Sequence, residues 1–179
     1  MATTALVLIV GLEAEAWVTM LVLAAFGTDW ISLDAVDGWE ALVTVLLLAG
    51  AYVLGIVVDR LADSTFGWLR GPDRPGFAKK RLEVLHASPG MAPFLEYQRS
   101  RLRVARGTLF NLVAAAVSAA AFLIWGTDVD ARWLFVILGV ALVALPICAV
   151  ATKRIAEAYE KRLVDAHAIV NVERSLPTR

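Results

Sequence analysis

The sequence predicts an all-α polytopic membrane protein, with four transmembrane helices, helical cytoplasmic extensions and both termini in the cytoplasm. Three observations carry the prediction. Four apolar runs, 5–26, 39–58, 108–125 and 133–151, each approach the ~20 residues that cross ~30 Å of hydrocarbon as a helix. Basic residues gather on one side of those runs. Tryptophans mark the ends on the other side. Composition agrees: 59% of the 179 residues are hydrophobic and 19% charged, against about 45–50% apolar in an average soluble domain.

The first run spans 5–26 and is read as a retained helix. It lacks a basic leader and carries Glu13 and Glu15 inside its apolar stretch, so it does not resemble a signal peptide. At ~1.5 Å per residue these carboxylates lie ~12–15 Å deep, near the bilayer centre. A charge there costs at least ~2.5–3.5 kcal/mol and normally faces a cavity, a partner or a pore. Two residues apart, they point ~200° away from each other and cannot share one role.

The second run, 39–58, ends in a polar cluster. Tyr52, Gly55, Asp59 and Asp63 follow helical spacing and are expected on one face. Ala51 and Gly55 form a small-xxx-small pair that admits a close neighbour. Asp59 and Arg60 sit at the boundary, where pairing with Arg106 or with acids of other helices is expected. The helix should continue to about residue 69, until two glycines and two prolines in 71–76 break it. A short basic helix over 77–86 follows, with Phe77, Val84 and Leu85 as its apolar positions, and Ser88-Pro89-Gly90 ends it.

From 93 to 125 no strong breaker occurs, so the third span should carry an extension into the cytoplasm. Its membrane part is rich in alanine, Ala114 to Ala121 around Ser118, which suits tight helix packing. A short outer turn near 126–132 makes spans three and four an antiparallel hairpin. Pro146 suggests a kink in the fourth span and frees a carbonyl there, and Cys148 is read as packing. Beyond residue 151, Ile155, Tyr159, Leu163, Ala166 and Val170 recur every three to four residues, the stripe of an amphipathic helix. Across this hairpin, Arg99, Arg103 and Arg106 are expected to meet Glu157, Glu160 and Asp165.

The charges orient the bundle. Segment 59–107 holds Arg60, Arg70, Arg74, Lys79, Lys80, Arg81, Arg99, Arg101, Arg103 and Arg106. Segment 152–179 holds Lys153, Arg154, Lys161, Arg162, Arg174 and Arg179. Only Arg132 remains for the other side, with Asp29, Asp34, Asp37, Glu40, Asp128 and Asp130. Such asymmetry marks 59–107 and 152–179 as a cytoplasmic layer. Trp30, Trp39, Trp125 and Trp133 fall at the opposite ends, as an interfacial belt does. One membrane domain covering 1–179 is expected, in a prokaryotic cytoplasmic (inner) membrane.

The candidate functional residues follow from these placements. Glu13, Glu15 and Tyr52 are pore or ion-pathway candidates. Asp59, Arg60, Asp63 and Arg106 form a cytoplasmic charge network. Lys79, Lys80, Arg81, Arg99, Arg101 and Arg103 are placed to attract anionic headgroups, at ~1 kcal/mol each. A net charge of zero favours no nucleic-acid partner. One cysteine forbids an intrachain disulfide and a Cys-based zinc site, and His86 and His167 have no ligand-spaced neighbours. No phosphate loop, nucleophile elbow or paired-His motif occurs. No catalytic residue, metal or cofactor is expected, and an enzyme is not the reading.

In its placement halfway along the first helix, Glu13 or Glu15 resembles the essential glutamate of the four-helix small multidrug-resistance transporters. The resemblance covers the first span. Those proteins are shorter, lack a segment like 59–107 and show little charge bias. It implies a small proton-coupled transporter. The residues themselves favour a homo-oligomeric ion channel or pore-forming effector, with membrane lipids and other copies as partners. The alternative is a non-catalytic anchor or signalling subunit that recruits a cytoplasmic protein.

Overall fold

A computed structural model describes residues 2–27, 38–66, 77–125 and 132–175. The described residues form α1 (Ala2–Phe26), α2 (Glu40–Thr65), α3 (Phe77–Ala87), α4 (Ala92–Trp125) and α5 (Arg132–Ser175). A 3₁₀ turn, Pro89–Met91, joins α3 to α4. All are helical, and α1, α2, α4 and α5 are each long and apolar enough to cross a membrane. These are the helices of an integral membrane protein. The outer turn expected near 126–132 and the tryptophan at 30 fall largely outside the described residues, as do the breaker at 71–76 and the acids of 29–37 and 128–130.

The helix ends follow local chemistry. Gly27, at φ 72°, takes the left-handed conformation that closes α1, and its N–H donates to the Leu23 carbonyl at 2.9 Å. Gly38, at φ 83°, donates its N–H to Glu40 Oε1 at 3.1 Å and so draws the first acid of α2 over the chain entering it. At its other end α2 stops at Thr65, with Phe66 capping onto the Ala62 carbonyl. That is one turn short of the expected end at residue 69, and residues 67–69 lie outside the described residues. α5 runs unbroken through Pro146 for 44 residues, ~66 Å of helix.

Packing divides the molecule into two stacked parts. In the apolar part α1 lies against both α2 and α4, and Val10, Ala14 and Val58 form a buried cluster with Trp17, Leu54, Val104 and Phe110 around it. The α1–α2 contact is backbone to backbone. A Cβ at Gly11 would run into the Ala51 carbonyl, and one at Gly55 into the Val7 carbonyl. Glycine is the residue that admits such an approach between membrane helices. The membrane half of α5 touches little of this bundle: Phe135, Leu142 and Ile147 are all well exposed.

The second part lies beyond the apolar spans. There α3, the start of α4 and the end of α5 enclose Val84, Leu95, Tyr159, Leu163, Ala166 and Val170. The amphipathic stripe of α5 is this core, with Ile155 only partly buried and Ala156 buried in its place. His167 Nε2 and Glu83 Oε2, 2.7 Å apart, join α5 to α3. Arg81 of α3 donates to Glu96 of α4 at 3.1 Å.

Where ion pairs across the α4–α5 hairpin were expected, Arg103 and Arg106 pair with Asp59 and Asp63 of α2. Leu95, Leu102 and Leu109, seven residues apart, are buried, and Leu95 packs on the α5 core; the side of α4 carrying Arg103 and Arg106 is turned to α2. Glu157 instead pairs with Lys153 along α5. Leu95 thus joins α4 to the core of α5, and Arg103 and Arg106 serve the interface with α2.

Candidate functional site

Polar side chains inside the membrane helices form one connected cluster between α1 and α4. Its centre is Glu13. The Thr108 hydroxyl donates to Glu13 Oε1 at 3.2 Å, and Asn111 Nδ2 donates to Glu13 Oε2 at 3.1 Å. Asn111 Nδ2 also donates to the Val10 carbonyl at 2.7 Å, while Trp17 Nε1 donates to Asn111 Oδ1 at 3.0 Å. The indole can only donate, which fixes the orientation of the amide. Glu13 and Trp17 are one turn apart on α1; Thr108 and Asn111 are one turn apart on α4. Two helical spacings thus bring four groups together.

Glycine again makes the approach possible. A Cβ at Gly107 would meet the Val10 side chain, so α4 comes close enough for Asn111 to reach the α1 backbone. With the helices at this distance, Glu13, Trp17, Thr108 and Asn111 all find partners, which removes most of the cost of burying them.

Glu15 has a different setting. It lies on the α2 side of α1, with Oε1 2.9 Å from where a Cβ on Gly50 would stand. It is half-buried, and it makes no hydrogen bond or ion pair among the described residues. The two carboxylates therefore face different helices. Tyr52 joins neither: it is exposed on α2, two residues past Gly50 and so on the opposite flank of that helix. The face on which Tyr52 was expected with Gly55 is centred instead on Ala51, Gly55, Val58 and Ala62, and Tyr52 stands outside it.

At the basic end of the bundle, α2 is tied to α4 by two ion pairs. Arg103 holds Asp59 through both oxygens, Nε to Oδ1 at 3.0 Å and Nη2 to Oδ2 at 2.7 Å. Arg106, itself buried, pairs with Asp63. The bidentate fork fixes the rotation of α4 about its axis as well as its distance. Of the charge network expected from the sequence, Asp59, Asp63 and Arg106 come together and Arg60 stays exposed on α2. Arg103, expected at lipid headgroups, completes the network in its place.

A cavity of about 20 Å³ adjoins the Asp59–Arg103 pair, walled by Leu6, Val7, Val10 and Gly55. It has room for one water molecule by the ~10–15 Å³ a water needs, and is far below the ~300 Å³ at which ligand pockets begin. Among the remaining headgroup candidates, Lys79 lies 3.9 Å from Glu83 and Arg81 is held by Glu96. Lys80, Arg99 and Arg101 have no acidic partner among the described residues. No group of three or more potential metal ligands occurs among the described residues.

Trp17, Thr108 and Asn111 are the members of the cluster that the sequence reading passed over. The available signal was Asn111 itself, an amide within the third apolar run and one turn from a threonine. Comparison of the chain with family models, with curated proteins and with solved structures finds no match.

Proposed function

We propose that the protein is a homo-oligomeric ion channel in which several copies surround a cation path bordered by Glu15. The observation that carries this reading is the contrast between the two intramembrane carboxylates. Glu13 is used up in holding α1 to α4, with both oxygens accepting hydrogen bonds. Glu15 has no such partner among the described residues, at a depth where a carboxylate needs water, an ion or a protein group. It borders the open face of α1, formed by Ala5, Ile9, Leu12, Ala16 and Thr19.

That face is the one suited to a path. The open faces of α2 and α5 carry large aliphatic and aromatic groups, such as Leu46, Leu47, Val53, Phe135, Leu142 and Ile147, and suit lipid. The α1 face includes small and hydroxylic residues beside a carboxylate. Four helices enclose little space, but acidic side chains repeated around a ring select cations.

Purified protein in liposomes should pass potassium in preference to chloride. Glu15→Gln should lower cation flux or abolish the selectivity, since rings of acidic side chains select cations, while the size-exclusion profile stays unchanged. Wild-type vesicles that pass no ions, or a Glu15→Gln protein with wild-type flux, would remove the support for the channel.

The proposed orientation puts the basic layer, including α3 and the ends of α4 and α5, in the cytoplasm. Its support is the bias of lysine and arginine toward 59–107 and 152–179. With Cys148 replaced, a cysteine at Ser32 should react with a membrane-impermeant reagent outside intact cells, and one at Ser88 should not. Labelling at Ser88 would reverse the orientation.

A further inference from the structure

We infer that Phe94, Tyr97, Arg101 and Arg162 form a docking surface for an acidic segment of another protein, separate from the membrane path. Phe94, Tyr97 and Arg101 share one face of α4 at spacings of three and four. Both aromatic rings are exposed, Phe94 at 42% and Tyr97 at 56%. The Arg101 guanidinium lies over the Tyr97 ring, 5.9 Å from its centre. Arg162 reaches across from α5 to lie 5.5 Å from the centre of the Phe94 ring. Two helices thus contribute to one surface.

The charges on this surface set it apart from the others in the layer. Arg81, Arg103 and Arg106 are each held by a carboxylate of a neighbouring helix. Arg101 and Arg162 are exposed and have no acidic partner among the described residues. An arginine lying on an aromatic face keeps N–H donors at its edge for a carboxylate, and the ring beneath offers apolar area. The matching partner carries carboxylates and apolar side chains together.

Position selects a protein over lipid. Phe94 stands nine residues before Arg103, which pairs with Asp59 at the end of the second span; that is ~13 Å along the helix axis, whereas the headgroup layer on each side is ~5–8 Å thick. Arg162 stands eleven residues past Ala151, ~16 Å from the fourth span. Anionic headgroups do not reach Phe94 and Arg162, the outer pair of this surface.

The test uses the full chain in nanodiscs of neutral phosphatidylcholine and a short fluorescent peptide alternating Glu and Leu. Anisotropy should show saturable binding that weakens with salt. The double substitution Arg101→Gln, Arg162→Gln should weaken it at least about ten-fold, the loss expected for one charge-assisted contact. Phe94→Ala should weaken it too, and Arg60→Gln, on α2, should leave it unchanged. Circular dichroism on each variant separates lost binding from lost folding. No binding to wild type, or equal binding of a peptide with Gln for Glu, would overturn the inference. So would loss of binding in anionic nanodiscs, which would assign the surface to lipid. Dissociation of the purified assembly by the double substitution would assign it to a second copy and equally overturn it.

Discussion

One added methyl group at Gly11 should destabilise the protein more than the same change made on its outer surface. A Cβ there has no space, because the Ala51 carbonyl occupies it, and the same holds at Gly55 against Val7. Both obstacles are backbone and cannot turn aside. Gly11→Ala or Gly55→Ala must therefore push α1 and α2 apart, at a cost of about 1–3 kcal/mol or more. Gly139, on α5, has nothing within contact distance of its Cβ position. Gly139→Ala should raise stability by up to ~1 kcal/mol, the gain in helix propensity. Thermal unfolding in detergent, followed by circular dichroism, compares the three. Equal melting temperatures for Gly11→Ala and Gly139→Ala would contradict the close packing of α1 on α2.

Removing the carboxylate of Glu13 should act on stability and leave ion passage intact in the protein that remains folded. Glu13→Leu takes away the acceptor used by Thr108 and Asn111, and leaving buried donors unpaired costs about 1–3 kcal/mol. Asn111→Leu should cost a comparable amount, since that amide joins Glu13, Val10 and Trp17. Because they belong to one network, the double variant should lose less than the sum, with a coupling of about 0.5–3 kcal/mol. A coupling near zero in unfolding measurements would mean that the cluster does not hold α1 to α4. Glu13→Gln keeps the shape and one acceptor oxygen, so its loss should be smaller. Its flux per folded protein should match wild type, unlike that of Glu15→Gln.

The helices were legible in the sequence because membrane spans obey a length rule that few other features imitate. The break at Ser88-Pro89-Gly90 was legible too, since Pro and Gly act locally. Interhelical partners were not. Arg103 and Arg106 lie three residues apart, and spacing alone does not tell which neighbour an arginine face will meet. The hairpin connection suggests α5, yet Asp59 and Asp63 at the end of α2 hold Arg103 and Arg106. Tyr52 was placed with Gly55 on spacing alone, but the tight α1 contact centres the buried face on Ala51 and Gly55 and leaves Tyr52 outside.

The polar cluster shows the same limit from the other direction. Depth along α1 was enough to single out Glu13 and Glu15, and opposite directions followed from their separation of two residues. Which of them would be satisfied depended on Asn111, ninety-eight positions later in the chain. A tryptophan in an apolar run reads as bulk until its N–H has a partner. Trp17 found one in Asn111.

Imaging of the purified assembly by electron cryo-microscopy tests the central claim most directly. The account predicts a ring of copies around a central path, with the open face of α1 toward the path and Glu15 at its edge. Glu13 should remain enclosed between α1 and α4 in every copy, and α2 and α5 should face lipid. A monomer, or an assembly in which Ala16 and Thr19 face lipid and no continuous path passes Glu15, would contradict it.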